Sequence, residues 1–176
     1  MKHPMLKIEM WIKRIVGHEG GFSLDPKDKG NWTLGHVGKG ELKGTKWGVS
    51  AAAYPHLNIR NLSVQDAADI YKRDYLDPLQ ADSFEDGVAF QLLDFAINSG
   101  VAAAKKGIQK AVNVKPDGVI GPVTLKAILS YTEADMIMLL LATRLEFLTS
   151  APTWPDHGRG WVRRVAQNLK YGVLDS

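Results

Sequence analysis

Glycines at positions 30, 35, 38, 40, 44 and 48, with Pro26 just ahead of them, forbid a regular helix over residues 22–48. The stretch must turn repeatedly. A structureless loop of that length is unusual in a compact domain, so the composition predicts a small β-hairpin region or a functional loop. On both sides the pattern changes to helical. Before it, Ile8, Ile12, Ile15 and Val16 recur at helical spacing, predicting a helix over 5–18 stopped by Gly20-Gly21. That places Glu19 in the helix's last turn.

After it, helix signals follow one another. Ser63 with Asp66 three residues on forms a capping pattern, predicting a helix to about Tyr75 that ends at Asp77-Pro78. Residues 84–99 read as a strongly apolar helix closed by Gly100, and 102–112 as the next. Pro122 suits the first position of a helix over 122–130. Thr132 with Asp135 caps another, reaching about Leu148. Pro152 and Pro155 mark a loop, and 160–169 form a basic amphipathic helix. The pattern predicts a mainly α fold: a helix-dominated domain with a small Gly-rich β-hairpin lobe.

The chain has 176 residues and no cysteine, so it builds its core without disulfides, thiol catalysis or a cysteine zinc site. Its five histidines show no metal-binding spacing, and no metal or cofactor is expected. The net charge of +3 suits an anionic polymer, but no nucleic-acid recognition motif accompanies it. Glu9, Lys13 and Arg14 interrupt the N-terminal apolar residues, so the start does not read as a signal peptide.

A carboxylic acid donates protons near neutral pH only if its pKa is raised. An apolar helix face before Glu19, and the negative end of the helix dipole around it, both push that way. Asp25, Asp28 and Glu41 come next in the glycine-rich segment, and glycoside hydrolysis usually uses two carboxyls. Each has a plain alternative: an exposed glutamate ending a surface helix, and aspartates that only form turns.

The order of short motifs adds to this. His18-Glu19-Gly20-Gly21-Phe22 resembles the E-G-G-[YF] signature of glycoside hydrolase family 108, the N-acetylmuramidases. Asp25-Pro26-Lys27-Asp28-Lys29-Gly30 and Gly44-Thr45-Lys46-Trp47-Gly48-Val49-Ser50 resemble the family's next two segments, with Asn31–Lys43 inserted between them. That insertion leaves Thr33 and Thr45 as alternative matches to one family position. Asp94 to Gly100 resembles its D-x-A-x-N-x-G helix end, and Asp117 to Leu125 the D-G-x-I-G-P-x-T-L of its peptidoglycan-binding C-terminal part. Arg144 and Gly160 to Val165 resemble its closing pattern.

The resemblance implies a lysozyme-like helical domain with a small Gly-rich β-hairpin lobe, residues 1–90 holding the catalytic part and 91–176 a helical, peptidoglycan-binding-like part, packed as one compact unit. It implies that Glu19 is the catalytic acid, cleaving the β-1,4 bond between N-acetylmuramic acid and N-acetylglucosamine in peptidoglycan. It makes Asp28 the candidate second carboxyl and Thr45 a candidate for holding the attacking water. Gly20 and Gly21 leave room for substrate, and Trp47 is a candidate for stacking on a sugar. Asp94 and Asn98, four apart, either line the cleft or fix neighbouring backbone. Trp47, like Trp32, has core packing as its alternative. The expected role is a phage or prophage endolysin, held in the host cytoplasm until a separate pore releases it to the periplasm and cell wall. A monomer is expected. Contact of the basic C-terminal helix with an anionic outer membrane is the sharper alternative to simple packing. A lytic transglycosylase and a non-catalytic peptidoglycan-binding protein are the competing classes.

Overall fold

The computed structural model describes residues 4–17 and 21–175, which form two compact units dividing between Arg73 and Asp74. The boundary expected near residue 90 falls inside a helix, and the division lies earlier. The reason is local: that helix is central to the second unit.

The first unit begins with α1, Met5–Val16, which buries Ile8, Trp11 and Ile12. Gly17 ends it at φ 86, a conformation that side-chain-bearing residues rarely adopt. The described helix therefore stops before the expected Gly20-Gly21, and position 19 lies three residues beyond Val16. The helix partner of α1 is α2, Val64–Tyr71. Its start carries the expected capping box, with Ser63 and Asp66 each bonding the other's backbone N–H.

Between these helices lies the glycine-rich lobe. Strands β1, Thr45–Lys46, and β2, Val49–Ser50, pair antiparallel with Thr45 opposite Ser50 and Lys46 opposite Val49. Trp47 and Gly48 join them at φ 53 and 77, the two positive angles of the two-residue turn that matches strand twist. Ser23 pairs with Thr45, tying the chain's entry into the lobe to β1. Gly44 makes this possible: a Cβ there would stand 2.4 Å from the Ser23 carbonyl. The inserted segment closes on itself. Trp32 pairs with Leu42, and Thr33 Oγ1 accepts from the Glu41 N–H at 2.9 Å.

In the second unit, a π-helical turn over Lys72–Leu76, which straddles the division, leads into a short α3, Asp77–Leu79. Pro78 sits in the first turn of α3, where its missing N–H costs nothing, so it starts a helical turn instead of only ending one. The central helix is α4, Asp86–Ser99, buried continuously from Gly87 to Ala96. A helix buried on every side has no solvent face and must be surrounded. It is packed by α5, Val101–Ala111, α7, Glu133–Thr149, and α8, Trp154–Asp175. Gly107 lets α5 close on Phe95, since a Cβ there would lie 2.6 Å from the ring. Phe84, Leu92, Phe95, Ile108, Ile137 and Leu140 are the body of the core.

Helix α6, Pro122–Ile128, starts at its proline as expected. The turn before it is held by the buried Gln109, whose Nε2 donates to Asp117 Oδ1 at 2.8 Å and to the Val119 carbonyl at 3.0 Å. Its Oε1 accepts from the Gly118 N–H at 2.8 Å. The Asp117–Thr124 segment thus has a complete structural account. Helix α8 begins well before residue 160, with Pro155 in its first turn. It buries Gly158, Val165, Asn168 and Gly172. Leu169, the last residue of the expected amphipathic helix, is 45% exposed.

Candidate active site

Glu19 and Gly20 lie outside the described residues. The site is therefore defined by residues 21–50 and the helices that hold them. Gly21 is exposed and Phe22 half-buried. Asp25 and Asp28 both sit on the exposed surface of the lobe and both shape it. Asp25 Oδ1 accepts from the Lys27 N–H at 2.9 Å, and Asp28 Oδ1 accepts from the Gly30 N–H at 2.8 Å, capping the 3₁₀ turn Lys29–Asn31. Asp28 is held in a fixed place by that bond.

Asn31 organises the lobe from within. It is fully buried. Its Nδ2 donates to the Asp25 carbonyl at 2.9 Å, and its own carbonyl accepts from the N–H groups of Lys43 and Gly44. Because a carbonyl can only accept, the amide's nitrogen must face Asp25, and its oxygen must face Thr45. Thr45 Oγ1 therefore donates to Asn31 Oδ1, at 2.7 Å. Its proton is committed, and its oxygen offers lone pairs only. A water at Thr45 would donate to it and keep its own lone pairs for attack elsewhere. Thr33, the alternative to Thr45, spends its hydroxyl closing the inserted hairpin. The structure brings Thr45 and the Asp28 turn together through Asn31. The residue patterns singled out the two ends and missed Asn31, which reads in sequence only as the first residue of the insertion.

Trp47 occupies the corner of the β1–β2 turn and is half-buried; its carbonyl accepts from Tyr71 Oη at 3.1 Å. Its indole Nε1 is buried and has no hydrogen-bond partner among the described residues. Indole nitrogens usually find one when buried.

Asp94, expected either to line the cleft or to fix neighbouring backbone, does neither with its carboxylate. Its side chain is 1% exposed. Arg144 Nη1 and Asn168 Nδ2 both donate to Oδ2 at 2.7 Å, while Arg164 Nε and Nη2 reach Oδ1. Burial pushes the carboxyl's pKa up. The hydrogen bond from Arg164 and the charges of Arg144 and Arg164 outweigh it, and hold Asp94 below the usual carboxylate range. The carboxylate has no edge left for a ligand, so Asp94 joins α4, α7 and α8. Asn98, one turn on, is exposed and donates from Nδ2 to the Asp94 carbonyl at 2.7 Å. It borders a cavity of about 200 Å³ with Arg144, Trp161 and Arg164. The two positions share a helix face, but only Asn98 meets solvent.

Among the described residues, no group of three His, Asp or Glu side chains could hold a metal ion, and no helix is long and apolar enough to cross a membrane.

The sequence model of the family described as Glycosyl hydrolase 108 matches residues 12–100. A solved structure described as that of Brucella abortus SagA is similar over 98% of this chain and 97% of its own, with 30% identity and a TM-score of 0.76. No curated protein matches the chain. The family match takes in the Glu19 motif, the Asp28 turn, the Thr45 hairpin and Asn98, and the structural likeness extends over both units. The chain belongs to glycosyl hydrolase family 108 and is a glycoside hydrolase of peptidoglycan.

Proposed function

We propose that the protein is an N-acetylmuramidase: it hydrolyses the β-1,4 bond between N-acetylmuramic acid and N-acetylglucosamine, with Glu19 as the acid. The observation that carries this reading is the E-G-G segment followed by a lobe in which Asn31 locks Thr45 beside the Asp28 turn. Glu19 protonates the glycosidic oxygen as the bond to the muramyl carbon breaks. The departing sugar keeps that oxygen as a hydroxyl. Asp28 supplies negative charge toward the oxocarbenium-like transition state. Thr45 accepts a hydrogen bond from the attacking water, whose oxygen adds to the muramyl carbon and whose proton is lost to a carboxylate. Gly20 and Gly21 admit the strand. Trp47 and Asn98 remain candidates for sugar contact, Trp47 because its buried Nε1 lacks an acceptor among the described residues.

Mass spectrometry of digested, borohydride-reduced peptidoglycan tests the reaction. Hydrolysis at this bond leaves muramitol-ended products heavier by one water. A glucosaminitol end would refute the bond assignment, and an anhydro sugar would show a lytic transglycosylase.

The cellular role we propose is that of a monomeric phage or prophage endolysin, released from the host cytoplasm to the cell wall, with residues after 100 adding contacts to peptidoglycan. A second surface supports contact with an anionic outer membrane. On α8, Val162, Leu169 and Val173 are exposed, alongside the exposed Arg159, Arg163 and Lys170. Full-length protein should release dye from anionic vesicles and spare neutral ones. No release from either would remove the membrane role and leave the enzymatic one standing.

A further inference from the structure

Beside Phe22 the first unit has a depression of about 410 Å³, bordered by Leu24, Lys43, His56, Asn58 and Arg60 among others. Among the described residues that line it, none is acidic. Two cations are held in place there. The Arg60 guanidinium lies over the Phe22 ring, with Cζ 4.5 Å from the centroid, and no ion pair holds it among the described residues. Lys43 Nζ donates to the Pro55 carbonyl at 2.7 Å and pairs with Glu41 at 3.1 Å. The backbone under them is fixed too. Arg60 follows the buried Ile59 in a 3₁₀ turn, and its carbonyl accepts from Lys46 Nζ at 2.9 Å. The lining therefore combines a stacked guanidinium, a pinned ammonium, an amide and apolar walls. Such a surface suits a carboxylate carried on a body with some apolar area.

The position gives this chemistry a meaning. Phe22 is the last residue of the motif that contains Glu19, so the depression adjoins the catalytic segment of this unit. Along a peptidoglycan strand, N-acetylglucosamine is uncharged. Carboxylates occur only on the muramyl substituent: on the lactyl ether when the sugar is bare, and on the stem peptide when it is substituted. We propose that this depression binds the carboxylate of the muramyl substituent through Arg60 and Lys43, and so sets the register of the strand. The inference rests on the peptidoglycan-hydrolase reading and adds a selectivity site to it.

Binding and turnover are measured separately, so that the two readings fail separately. Dissociation constants are taken with full-length Glu19→Gln protein, folded by circular dichroism, for three soluble glycans: N-acetylglucosamine oligomers, amidase-stripped strands and peptide-bearing strands. Carboxylate-bearing strands should bind at least tenfold more tightly than the neutral oligomers. Arg60→Gln should bring that preference to within about twofold of unity, and Arg60→Lys should restore most of it. In the otherwise wild-type enzyme, Arg60→Gln should raise KM five- to tenfold with kcat within twofold. If only stripped strands gain, the lactyl carboxylate is the ligand; if stripped and substituted strands gain alike, the depression takes either carboxylate. If only substituted strands gain, the ligand is the stem peptide. Equal binding of all three glycans, or a preference that survives Arg60→Gln, overturns the proposal. Absence of any peptidoglycan cleavage by the wild-type enzyme would instead overturn the parent reading, while the binding constants still report on the depression.

Discussion

Replacing Asp94 with asparagine is expected to destabilise the second unit by about 3–5 kcal/mol, the range for removing one partner of a buried ion pair. The wild-type carboxylate faces Arg144, which is 2% exposed, and Arg164, which is 30% exposed. An amide there leaves both guanidiniums without a counter-charge, one of them fully desolvated. It also turns an N–H₂ group toward donors that can only donate, at Arg164 or at Asn168 Nδ2. A loss of this size corresponds to roughly ten degrees in melting temperature for a chain of this length. The pH dependence comes from the lowered carboxyl. A group whose folded pKa lies below its unfolded value stabilises above that unfolded value, here 3.8, and the contribution fades as pH falls through the folded one. The gap between wild type and Asp94→Asn should therefore be constant at neutral pH and shrink below about pH 3.8. Thermal melts at pH 7 and below pH 3.8 check both points. A melting temperature unchanged by the substitution would show that the network contributes nothing to stability.

That network explains what the sequence could and could not convey. The spacing of Asp94 and Asn98 placed them on one helix face, which is correct. Which of the two is buried depends on Arg144, fifty residues on, and on Arg164 and Asn168, seventy and more. No local pattern carries that. Helix starts were legible because their signals are local and chemical. Ser63 with Asp66, Thr132 with Asp135, and Pro122 all start helices where their hydrogen bonds or fixed φ dictate. Helix ends were less so. Gly17, Gly20 and Gly21 all permit a stop after α1, and periodicity does not choose among them. Pro155 read as a loop marker, yet in the first turn of α8 a proline breaks nothing. Along α8 the packed stripe passes through Asn168 and Gly172 and leaves Leu169 outside, because Asp94 and Ile137 want a donor and a close backbone there.

In the glycine-rich lobe, the composition predicted hairpins but not their pairing. The bridge from Trp32 to Leu42 and the Asn31 amide that connects Asp25 to Thr45 are tertiary facts. Thr33 closes the inserted hairpin, and Thr45 faces the Asp28 turn.

The catalytic role of Glu19 is tested most directly by Glu19→Gln. The substitution keeps the shape of the side chain and removes its titratable proton. General acid catalysis contributes about 10²–10⁴-fold, and the glycosidic oxygen is a poor leaving group without it. Turbidity clearing of purified peptidoglycan, run beside circular dichroism to confirm the fold, is the measurement. The account predicts a loss of at least about 10²-fold in kcat, with the melting temperature unchanged. A folded Glu19→Gln protein that clears cell walls at the wild-type rate would contradict it.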